Sequence, residues 1–358
     1  MNNTQRLPAS LTRLDVALAA LLRDVGPAEA GVRAHDAPRD DAAELPELKA
    51  WPPHDAAAAD GWALRASDLI GASSYTPMPL AKSPVWVEAG DRIPDGCDCV
   101  LDEDAVERTG PIAQALAEAI PGQGIRRKGG EIVDASRIKV AWRFGGILDA
   151  AHRPRLRIVN VPGGTITSKL MVGSLREAGI DIVFAEAAAR DPASIAGLLD
   201  GSDCDLVIIA GGSGVGRTDA SVIALAECGE VIAHGLALQP GRTAAVGRIG
   251  RTPVMIVPGA PDQALAVWWT LVGPTLDRLA GGQRQTATRP LARKVASSVG
   301  IAEVILLEEV DGAWKPIAAG DLPLAAVARA NAWLLVPGGS EGYAAGTAVE
   351  AYMLRDEH

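Results

Sequence analysis

The spacing of apolar and polar positions changes along the chain and divides it into segments. Near the start, leucines recur at helical spacing in "SLTRLDVALAALLRDVGP", with Ser10 as a candidate N-cap and Gly26-Pro27 as a stop signal. Residues 46–124 instead hold short apolar runs separated by Pro and Gly. That texture predicts a small β-rich domain.

From about residue 155 the pattern becomes strand, helix, strand. The apolar runs are "RLRIVNV", "IDIVFAE", "DLVIIA", "EVIAHGLAL" and "PVMIV", with amphipathic segments between most of them. One helix is predicted to be capped by Thr167 or Ser168 and closed by Gly179, and another by Asp191 with Pro192 at its first position. Apolar strands alternating with helices predict a parallel sheet covered on both faces.

The fold class that follows is α/β and multidomain. A doubly wound parallel-sheet domain spans residues 155–283, and short strands return over residues 284–358 as a C-terminal β domain. The N-terminal helical segment belongs to a linker domain assigned to residues 1–45 and 125–154. The flanking domains are therefore rich in β-structure.

Composition excludes several classes of partner. The formal net charge of −10 argues against a nucleic-acid or anionic-membrane surface, which requires a basic face. The sequence contains no run of about 18 apolar residues, so no membrane span is predicted. Its first residues lack a basic segment followed by an apolar run, so no signal peptide is predicted. The four cysteines (Cys97, Cys99, Cys204 and Cys228) lack zinc-site spacing and are predicted to be free thiols, which fits a cytoplasmic location.

The segment "DLVIIAGGSGVGRTDA" holds the clearest candidate chemistry. Gly211, Gly212, Gly214 and Gly216 follow a buried strand and allow the backbone to turn tightly and present its N–H groups. A helix predicted to begin near Asp219 adds a positive dipole end, so a phosphate or oxyanion suits the loop. The spacing is neither a dinucleotide fingerprint nor a Walker loop, and a plain tight turn is the alternative.

Asp219 has two interpretations. As a helix N-cap it has a structural role. As a carboxylate beside an anion site it would repel the ligand unless a cation lay between them, which points to a Mg²⁺ ligand.

Five spaced motifs together resemble the molybdopterin molybdenumtransferase family, of the bacterial MoeA and gephyrin E-domain type. In order, they are "DAAAADGWAL", "AGDRIPDGCDCVLDED", "GQGIRRKGGEI", "AGGSGVGRTD" and "LQPGRTAAVGRIGRTPVMIVPGAPDQAL". They span residues 55 to 265, and the order of the predicted domains, including a final β domain, also fits the family.

The resemblance implies a homodimer with an active site in a cleft between subunits. Such proteins take adenylylated molybdopterin (molybdopterin-AMP) and molybdate, insert the metal at the dithiolene, and release AMP with help from Mg²⁺. Residues 155–283 would be the molybdopterin-binding domain, and the N-terminal domain would take part in dimerisation. A molybdoenzyme or other cofactor-synthesis proteins are the implied partners.

The resemblance also implies site residues. Asp60, Glu131 and Asp219 are the candidates for catalysis and for metal and molybdate handling. The candidates for binding molybdopterin and its phosphate are Gly211, Gly212, Ser213, Gly214, Gly216, Arg217, Arg126, Arg127, Pro240, Gly241, Arg242, Pro258 and Gly259. Carboxylates suit a metal, and arginines suit a phosphate or oxyanion because their donors form a fork.

The chain departs from the family at its acidic motifs. Pro162-Gly163-Gly164-Thr165 stands where the family carries Thr-Gly-Asp-Glu, and the following Asp-x-Asn is lost. Fewer carboxylates weaken Mg²⁺ binding but also reduce repulsion of an anionic cofactor. A non-catalytic molybdopterin carrier or assembly protein is therefore the alternative, and hydrolysis of a nucleotide pyrophosphate bond is a third.

Overall fold

The protein is described by a computed structural model. It describes residues 5–8, 10–28, 52, 54–109, 112–129, 135–142, 146–147, 154–201 and 203–354. The chain divides into two compact units, the first formed by Met1–Glu47 with Asp134–His358 and the second by Leu48–Val133. The four domain boundaries drawn from the sequence stay predictions.

The strands and helices have the following bounds in chain order. The strands are β1 Thr12–Arg13, β2 Ala56–Ala57, β3 Gly61–Leu64, β4 Met78–Pro79, β5 Val85–Val87, β6 Cys99–Leu101, β7 Val106–Thr109, β8 Ile112–Ala115, β9 Ile125–Arg126, β10 Gly146–Ile147, β11 Arg155–Asn160, β12 Asp181–Glu186, β13 Leu206–Ala210, β14 Glu230–His234, β15 Leu236–Gln239, β16 Ala245–Ile249, β17 Thr252–Val257, β18 Gln283–Arg284, β19 Thr286–Pro290, β20 Val295–Ala296, β21 Ala302–Val310, β22 Ala313–Ala319, β23 Ala332–Val336, β24 Gly342–Tyr343 and β25 Ala348–Met353. The helices are α1 Leu14–Leu22, α2 Ala135–Trp142, α3 Thr165–Glu177, α4 Pro192–Ala196, α5 Ser221–Cys228, α6 Pro261–Val267, α7 Gly273–Ala280 and α8 Leu324–Arg329. Short 3₁₀ turns span Ala66–Leu69 and Glu103–Ala105, and a π-helical turn spans Trp268–Val272.

The predicted doubly wound sheet is the centre of the first unit. Its strand order is β12-β11-β13-β17-β16-β14, with β12, β11, β13 and β17 parallel and the last two strands antiparallel. On one face, Val207 and Ile209 of β13 belong to a buried cluster with Ile195 of α4 and Leu225 of α5. Ile208 points to the opposite face and is also fully buried. The predicted fold class is confirmed.

α1 begins later than the leucine pattern predicts. Thr12 and Arg13 form a parallel strand with β15, and the Thr12 N–H donates to the Gly235 carbonyl at 2.9 Å. This pairing keeps the backbone extended up to Leu14, so Ser10 does not cap the helix. Tertiary strand pairing overrides a local capping signal here.

α3 also begins earlier than its predicted caps. It starts at Thr165 after Gly164, which has no side-chain cap. Thr167 and Ser168 are buried within the first turn, where the Thr167 hydroxyl donates to the Gly259 carbonyl and the Ser168 hydroxyl to the Thr165 carbonyl. Their hydroxyls are used in packing, so neither residue is the N-cap.

Two other local signals hold. Asp191 caps α4, since its carboxylate accepts from the Ser194 N–H at 2.9 Å and Pro192 takes the first position. Gly179 follows the end of α3 with φ +75°, a conformation that favours glycine after a helix.

The segment "EVIAHGLAL" is two strands rather than one. Gly235 turns the chain with φ +82°, which separates β14 from β15. β14 stays in the doubly wound sheet, whereas β15 pairs in parallel with β1 and β21. The C-terminal sheet therefore has the order β1-β15-β21-β23-β25-β19, with β22 on β21, and includes residues from far earlier in the chain.

An aromatic stack connects the π-helical turn Trp268–Val272 with the C-terminal sheet. Trp269 stacks on Trp333 at 5.3 Å between ring centroids, and Trp333 stacks on Tyr352 at 4.5 Å. The Arg284 guanidinium lies over the Tyr352 ring at 4.6 Å. Trp268 and Trp269 are both buried.

The second unit is rich in short strands, as its Pro and Gly content predicts. Two three-stranded sheets have the orders β5-β3-β6 and β4-β8-β7, and β2 pairs with β9. Trp62 is buried in its core and meets Trp86 edge to face at 5.0 Å.

All four cysteines of the chain are free thiols. In the described part of the chain, no helix is both long and apolar enough to cross a membrane.

Candidate functional site

Three loops lie at the carboxyl ends of adjacent parallel strands. They follow β11, β13 and β17 and consist of residues 162–164, 211–220 and 258–260. Because β13 lies between β11 and β17, all three emerge at one edge of the sheet. Open α/β sheets bind ligands at this edge. These edge loops form the candidate site.

The edge loops pack backbone against backbone, which requires glycine. A Cβ on Gly164 would overlap the carbonyl oxygen of Ala210, and a Cβ on Gly259 would lie 3.0 Å from the carbonyl oxygen of Gly163. Thr167 adds a side-chain link, since its Oγ1 donates to the Gly259 carbonyl at 2.7 Å. The loop after β11 is therefore held against both of the others.

The glycine loop, Gly211–Gly216, makes the tight turn that the sequence predicts. Gly211 and Gly212 have φ values of +99° and +67°. The Gly211 N–H donates to the Val257 carbonyl at 2.9 Å, and its carbonyl accepts from the Ser221 hydroxyl at 2.8 Å. The loop is anchored at once to β17 and to the first residue of α5.

Asp219 braces the far end of the glycine loop. It is 7% exposed; its Oδ2 accepts from the Gly216 N–H at 3.0 Å and its Oδ1 from Arg190 Nη2 at 2.7 Å. α5 begins at Ser221 after Ala220, which has no side-chain cap. The N-cap interpretation of Asp219 is therefore wrong: its carboxylate closes the loop and pairs with a cation.

Gln5, from the N-terminal segment, lies against the same loop. Its Nε2 donates to the Gly212 carbonyl at 3.0 Å and the Gly214 carbonyl at 2.7 Å. Its Oε1 accepts from the Val222 N–H at 2.7 Å and the Ile223 N–H at 3.4 Å. The first-turn amides of α5, which the sequence suggests for a phosphate, are thus bound to a side-chain amide.

Ser213 is held from the other side of the loop. Its carbonyl accepts from His234 Nε2 at 3.0 Å, and its hydroxyl lies 3.2 Å from the Thr243 hydroxyl. The Nε2 of His234 carries the proton in this contact, because a carbonyl can only accept. Burial lowers the pKa of His234 below its usual value. The ring is therefore neutral at pH 7.

Thr243 follows the predicted Pro240-Gly241-Arg242 segment, which connects β15 and β16. The Gln239–Pro240 peptide is cis, and Gly241 has φ +111°. Arg242 and Arg217 are both exposed at the surface. Of these candidates, Pro240 and Gly241 are buried.

The remaining candidates lie in the second unit. Asp60 follows β2, and its Oδ1 accepts from the Ala89 N–H at 2.8 Å. Arg126 is part of β9, and Arg127 makes an ion pair with Asp55 at 3.0 Å. Because Asp60 and Asp219 belong to different units, their grouping stays a prediction.

The donor set at Asp219 does not fit Mg²⁺ by itself. Both of its oxygens accept hydrogen bonds, one of them from a guanidinium. Among the described residues there is no group of three or more His, Cys, Asp or Glu side chains that could hold a metal ion. Glu131, the third acid of the predicted set, lies outside the described residues.

A cavity of about 830 Å³ lies elsewhere in the first unit. Trp269, Trp333 and Tyr352 contribute to its wall together with Arg13 and Arg284. None of the predicted site residues lines it, so the candidate site stays at the edge loops.

Comparison with known proteins finds two family models that match this chain. Residues 14–143 match the model described as "MoeA N-terminal region (domain I and II)", and residues 165–278 match "Probable molybdopterin binding domain". The chain belongs to the MoeA-type family. The second match contains the glycine loop and the loop after β17, and it begins at the first residue of α3.

Relatives and a solved structure agree with this family. Molybdopterin molybdenumtransferase 1 of Mycobacterium tuberculosis is 26% identical over 321 residues, covering 76% of this chain and 74% of that protein. The molybdopterin molybdenumtransferase of Haemophilus influenzae is 26% identical over 291 residues, covering 69% and 71%. The crystal structure of the molybdopterin biosynthesis MoeA protein of Pyrococcus horikoshii covers 97% of this chain and 100% of its own at TM-score 0.51 and 22% identity, which shows the fold.

The predicted enzyme family is thereby confirmed, and with it a place among proteins of molybdenum cofactor biosynthesis. Sequence reasoning missed Gln5 and Arg190, which contact the candidate site in this MoeA-type chain. Gln5 gives no local signal, since its partners lie 207 or more positions away. Arg190 could have been noticed as a cation between the second parallel strand and the Asp191 cap.

Proposed function

We propose that the edge loops bind molybdopterin through its terminal phosphate, and that the chain transfers molybdenum from molybdate to it. The observation that supports this most is the close packing of three glycine-containing loops at the carboxyl edge of the sheet, within the matched molybdopterin-binding region. Backbone N–H groups can approach a phosphate there without side chains in the way.

The proposed roles follow the chemistry of each group. The glycine loop, with Pro258 and Gly259, contacts the pterin and its phosphate, and Arg217 and Arg242 supply exposed cations for an oxyanion. Arg126 and Arg127 of the second unit are proposed as further anion contacts. Asp60, Glu131 and Asp219 remain the proposed acids for handling molybdate.

The finer reaction is also a proposal. Adenylylated molybdopterin and molybdate are the substrates, AMP is the leaving product, and Mg²⁺ assists its release in a cytoplasmic homodimer. No step is assigned to Mg²⁺ at Asp219, because both carboxylate oxygens already accept hydrogen bonds. A molybdoenzyme or another cofactor-synthesis protein is the proposed recipient of the product.

One observation favours the second candidate, a non-catalytic molybdopterin carrier. The Arg190 guanidinium pairs with Asp219 and lies 3.7 Å from the position of a Cβ on Gly163, in the loop where the family carries acids. A cation next to this loop favours holding an anionic pterin over collecting a metal ion. The carrier and the transferase therefore share the binding step and differ in turnover.

The experiment mixes the purified chain with adenylylated molybdopterin and molybdate, with and without Mg²⁺, and follows AMP and molybdenum-loaded cofactor together. Release of both supports the transferase. Tight pterin binding without AMP supports the carrier. A chain that neither binds nor turns over contradicts both. The Asp219→Ala variant tests whether this carboxylate takes part in the reaction: unchanged turnover in the folded variant removes Asp219 from it.

A further inference from the structure

Arg190 lies where the loop after β12 meets two of the edge loops. β12 runs parallel to β11, so its carboxyl end opens at the same edge of the sheet. The guanidinium Nη2 donates to Asp219 Oδ1 at 2.7 Å, in the loop after β13. Nη1 lies 3.7 Å from the position of a Cβ on Gly163, in the loop after β11. One cation therefore borders three loops at the candidate site.

The guanidinium keeps donors for a further partner. The Arg190 side chain is 34% exposed, and it pairs with Asp219. Nη1 makes no hydrogen bond to any residue that the structure describes, and the buried Nε makes none there either. The adjacent Asp191 carboxylate does not compete for Arg190, because both of its oxygens accept from Ser194. An anion that reaches Nη1 therefore meets an available donor on a group that is always charged.

Gly163 leaves the space beside Nη1 open. This glycine is exposed and has φ +100°. Apart from residues 162 and 164, Nη1 is the one heavy atom of the described residues within 4 Å of the place that a Cβ would take. The segment Pro162–Thr165 carries no carboxylate that would repel an anion. A phosphate oxygen can approach the guanidinium along this backbone.

A divalent cation does not fit this arrangement. Mg²⁺ takes oxygen ligands, usually from one or two carboxylates together with substrate phosphates. The Asp219 carboxylate accepts from the guanidinium and from the Gly216 N–H, and the described residues contain no group of three or more metal-binding side chains. A Mg²⁺ beside Asp219 would also lie against the positive charge of Arg190. The charge that a metal would offer to an anionic ligand is already present on the protein.

We propose that Arg190 takes the place of a divalent cation at the edge loops: its guanidinium neutralises Asp219 and donates through Nη1 to the molybdopterin phosphate beside Gly163. Binding of molybdopterin at this edge then requires no Mg²⁺. This inference rests on the proposed function for its ligand. It concerns the binding step, which the transferase and the carrier share.

The test measures the Kd for molybdopterin by titration, in EDTA and again in excess Mg²⁺, for wild type and four variants. Arg190→Gln removes the charge, and Arg190→Lys keeps it. Asp219→Asn breaks the same ion pair from the other side and leaves the guanidinium in place. Arg155→Gln is the matched control, since its side chain is also 34% exposed and pairs with Asp181 at 3.3 Å, but at the amino end of β11.

We expect wild type to bind with the same Kd in EDTA and in Mg²⁺. Arg190→Gln raises Kd about tenfold or more, as for loss of a hydrogen bond to a charged group. Arg190→Lys raises Kd less, because the charge remains. Asp219→Asn lowers Kd, because a guanidinium without a neutralising carboxylate attracts the phosphate more strongly. Arg155→Gln leaves Kd unchanged.

The outcomes separate this inference from the proposed function. A Kd that depends on Mg²⁺ in wild type overturns the inference alone, and so does an unchanged Kd in Arg190→Gln. Equal weakening in Arg190→Gln and Asp219→Asn also overturns it, because the ion pair would then act only on the fold of the loop. Wild-type protein that binds no molybdopterin under either condition overturns the proposed function and this inference together.

Discussion

At the scale of single residues, the candidate site is held by polar groups that satisfy one another. Asp219, Gln5 and His234 each contact the glycine loop from a different direction. In the loop they contact backbone groups: the Gly212, Ser213 and Gly214 carbonyls and the Gly216 N–H. The geometry of the loop is therefore set by side chains as well as by backbone bonds such as that from Gly211 to Val257, and substitutions at these positions act on stability as well as on binding.

Removing the Asp219 carboxylate is expected to destabilise the first unit. Asp219→Ala leaves the Arg190 guanidinium and the Gly216 N–H without this partner, so we expect a loss of about 2–3 kcal/mol in the free energy of unfolding. Urea unfolding measures it. Asp15→Ala, which breaks the exposed Arg13–Asp15 pair, is the control and changes stability little. Equal losses in the two variants would contradict the assignment.

His234 makes stability depend on pH in a stated direction. Its folded-state pKa is lowered by burial, so the folded protein takes up this proton at a lower pH than the unfolded chain does. The contribution of neutral His234 to the free energy of unfolding is fully present above the unfolded-state pKa of about 6.5. It is lost as the pH falls below that value. We expect the free energy of unfolding of wild type to fall more steeply from about pH 7.5 to about pH 5.5 than that of His234→Gln. Parallel pH profiles would disprove the role.

At the scale of elements, the strands of the doubly wound sheet could be predicted and their surroundings could not. "DLVIIA" and "PVMIV" are continuous apolar runs, and such runs are what a strand buried on both faces requires. Helix starts were less predictable, because long-range contacts decide them: Thr12 pairs with Leu236, and Thr167 bonds to Gly259. Local sequence holds no information about either partner.

The start of α3 offers a matched pair of substitutions. Gly164→Ala brings a Cβ onto the Ala210 carbonyl, so we expect a loss of about 2 kcal/mol or more in stability. Gly173→Ala, in the same helix, meets nothing within 4 Å and is expected to stabilise by about 0.5–1 kcal/mol. Thermal unfolding of both variants measures the difference. Similar melting temperatures would contradict the close packing of the edge loops.

At the scale of the whole molecule, the family could be identified from the order of five motifs. The assignment of β15 to the C-terminal sheet could not be predicted from the sequence. β15 leaves the α/β segment to pair with β1 and β21. The aromatic stack of Trp269, Trp333 and Tyr352 reinforces this connection. The C-terminal sheet and the helices before it are thus expected to unfold together.

Trp333→Ala tests that coupling. The ring is 3% exposed and lies between two other rings, so its loss is expected to cost about 3–5 kcal/mol. Calorimetry should show a lower melting temperature with the doubly wound and C-terminal sheets still in one transition. Val310→Ala, which is partly exposed at the end of β21, is the control with little effect. A separate transition for the C-terminal sheet would contradict the coupling.

The pairing of β1 with β15 has a consequence for synthesis on the ribosome. Thr12 finds its partner Leu236 only after 224 further residues have been made, since 236 minus 12 is 224. At about 5–20 residues per second this takes roughly 10–45 s. During that interval the leucine-rich face of α1 and the amide of Gln5 have none of their final neighbours around residues 212–239. We therefore expect the nascent segment around α1 to be accessible to chaperones that shield apolar segments until β15 is complete.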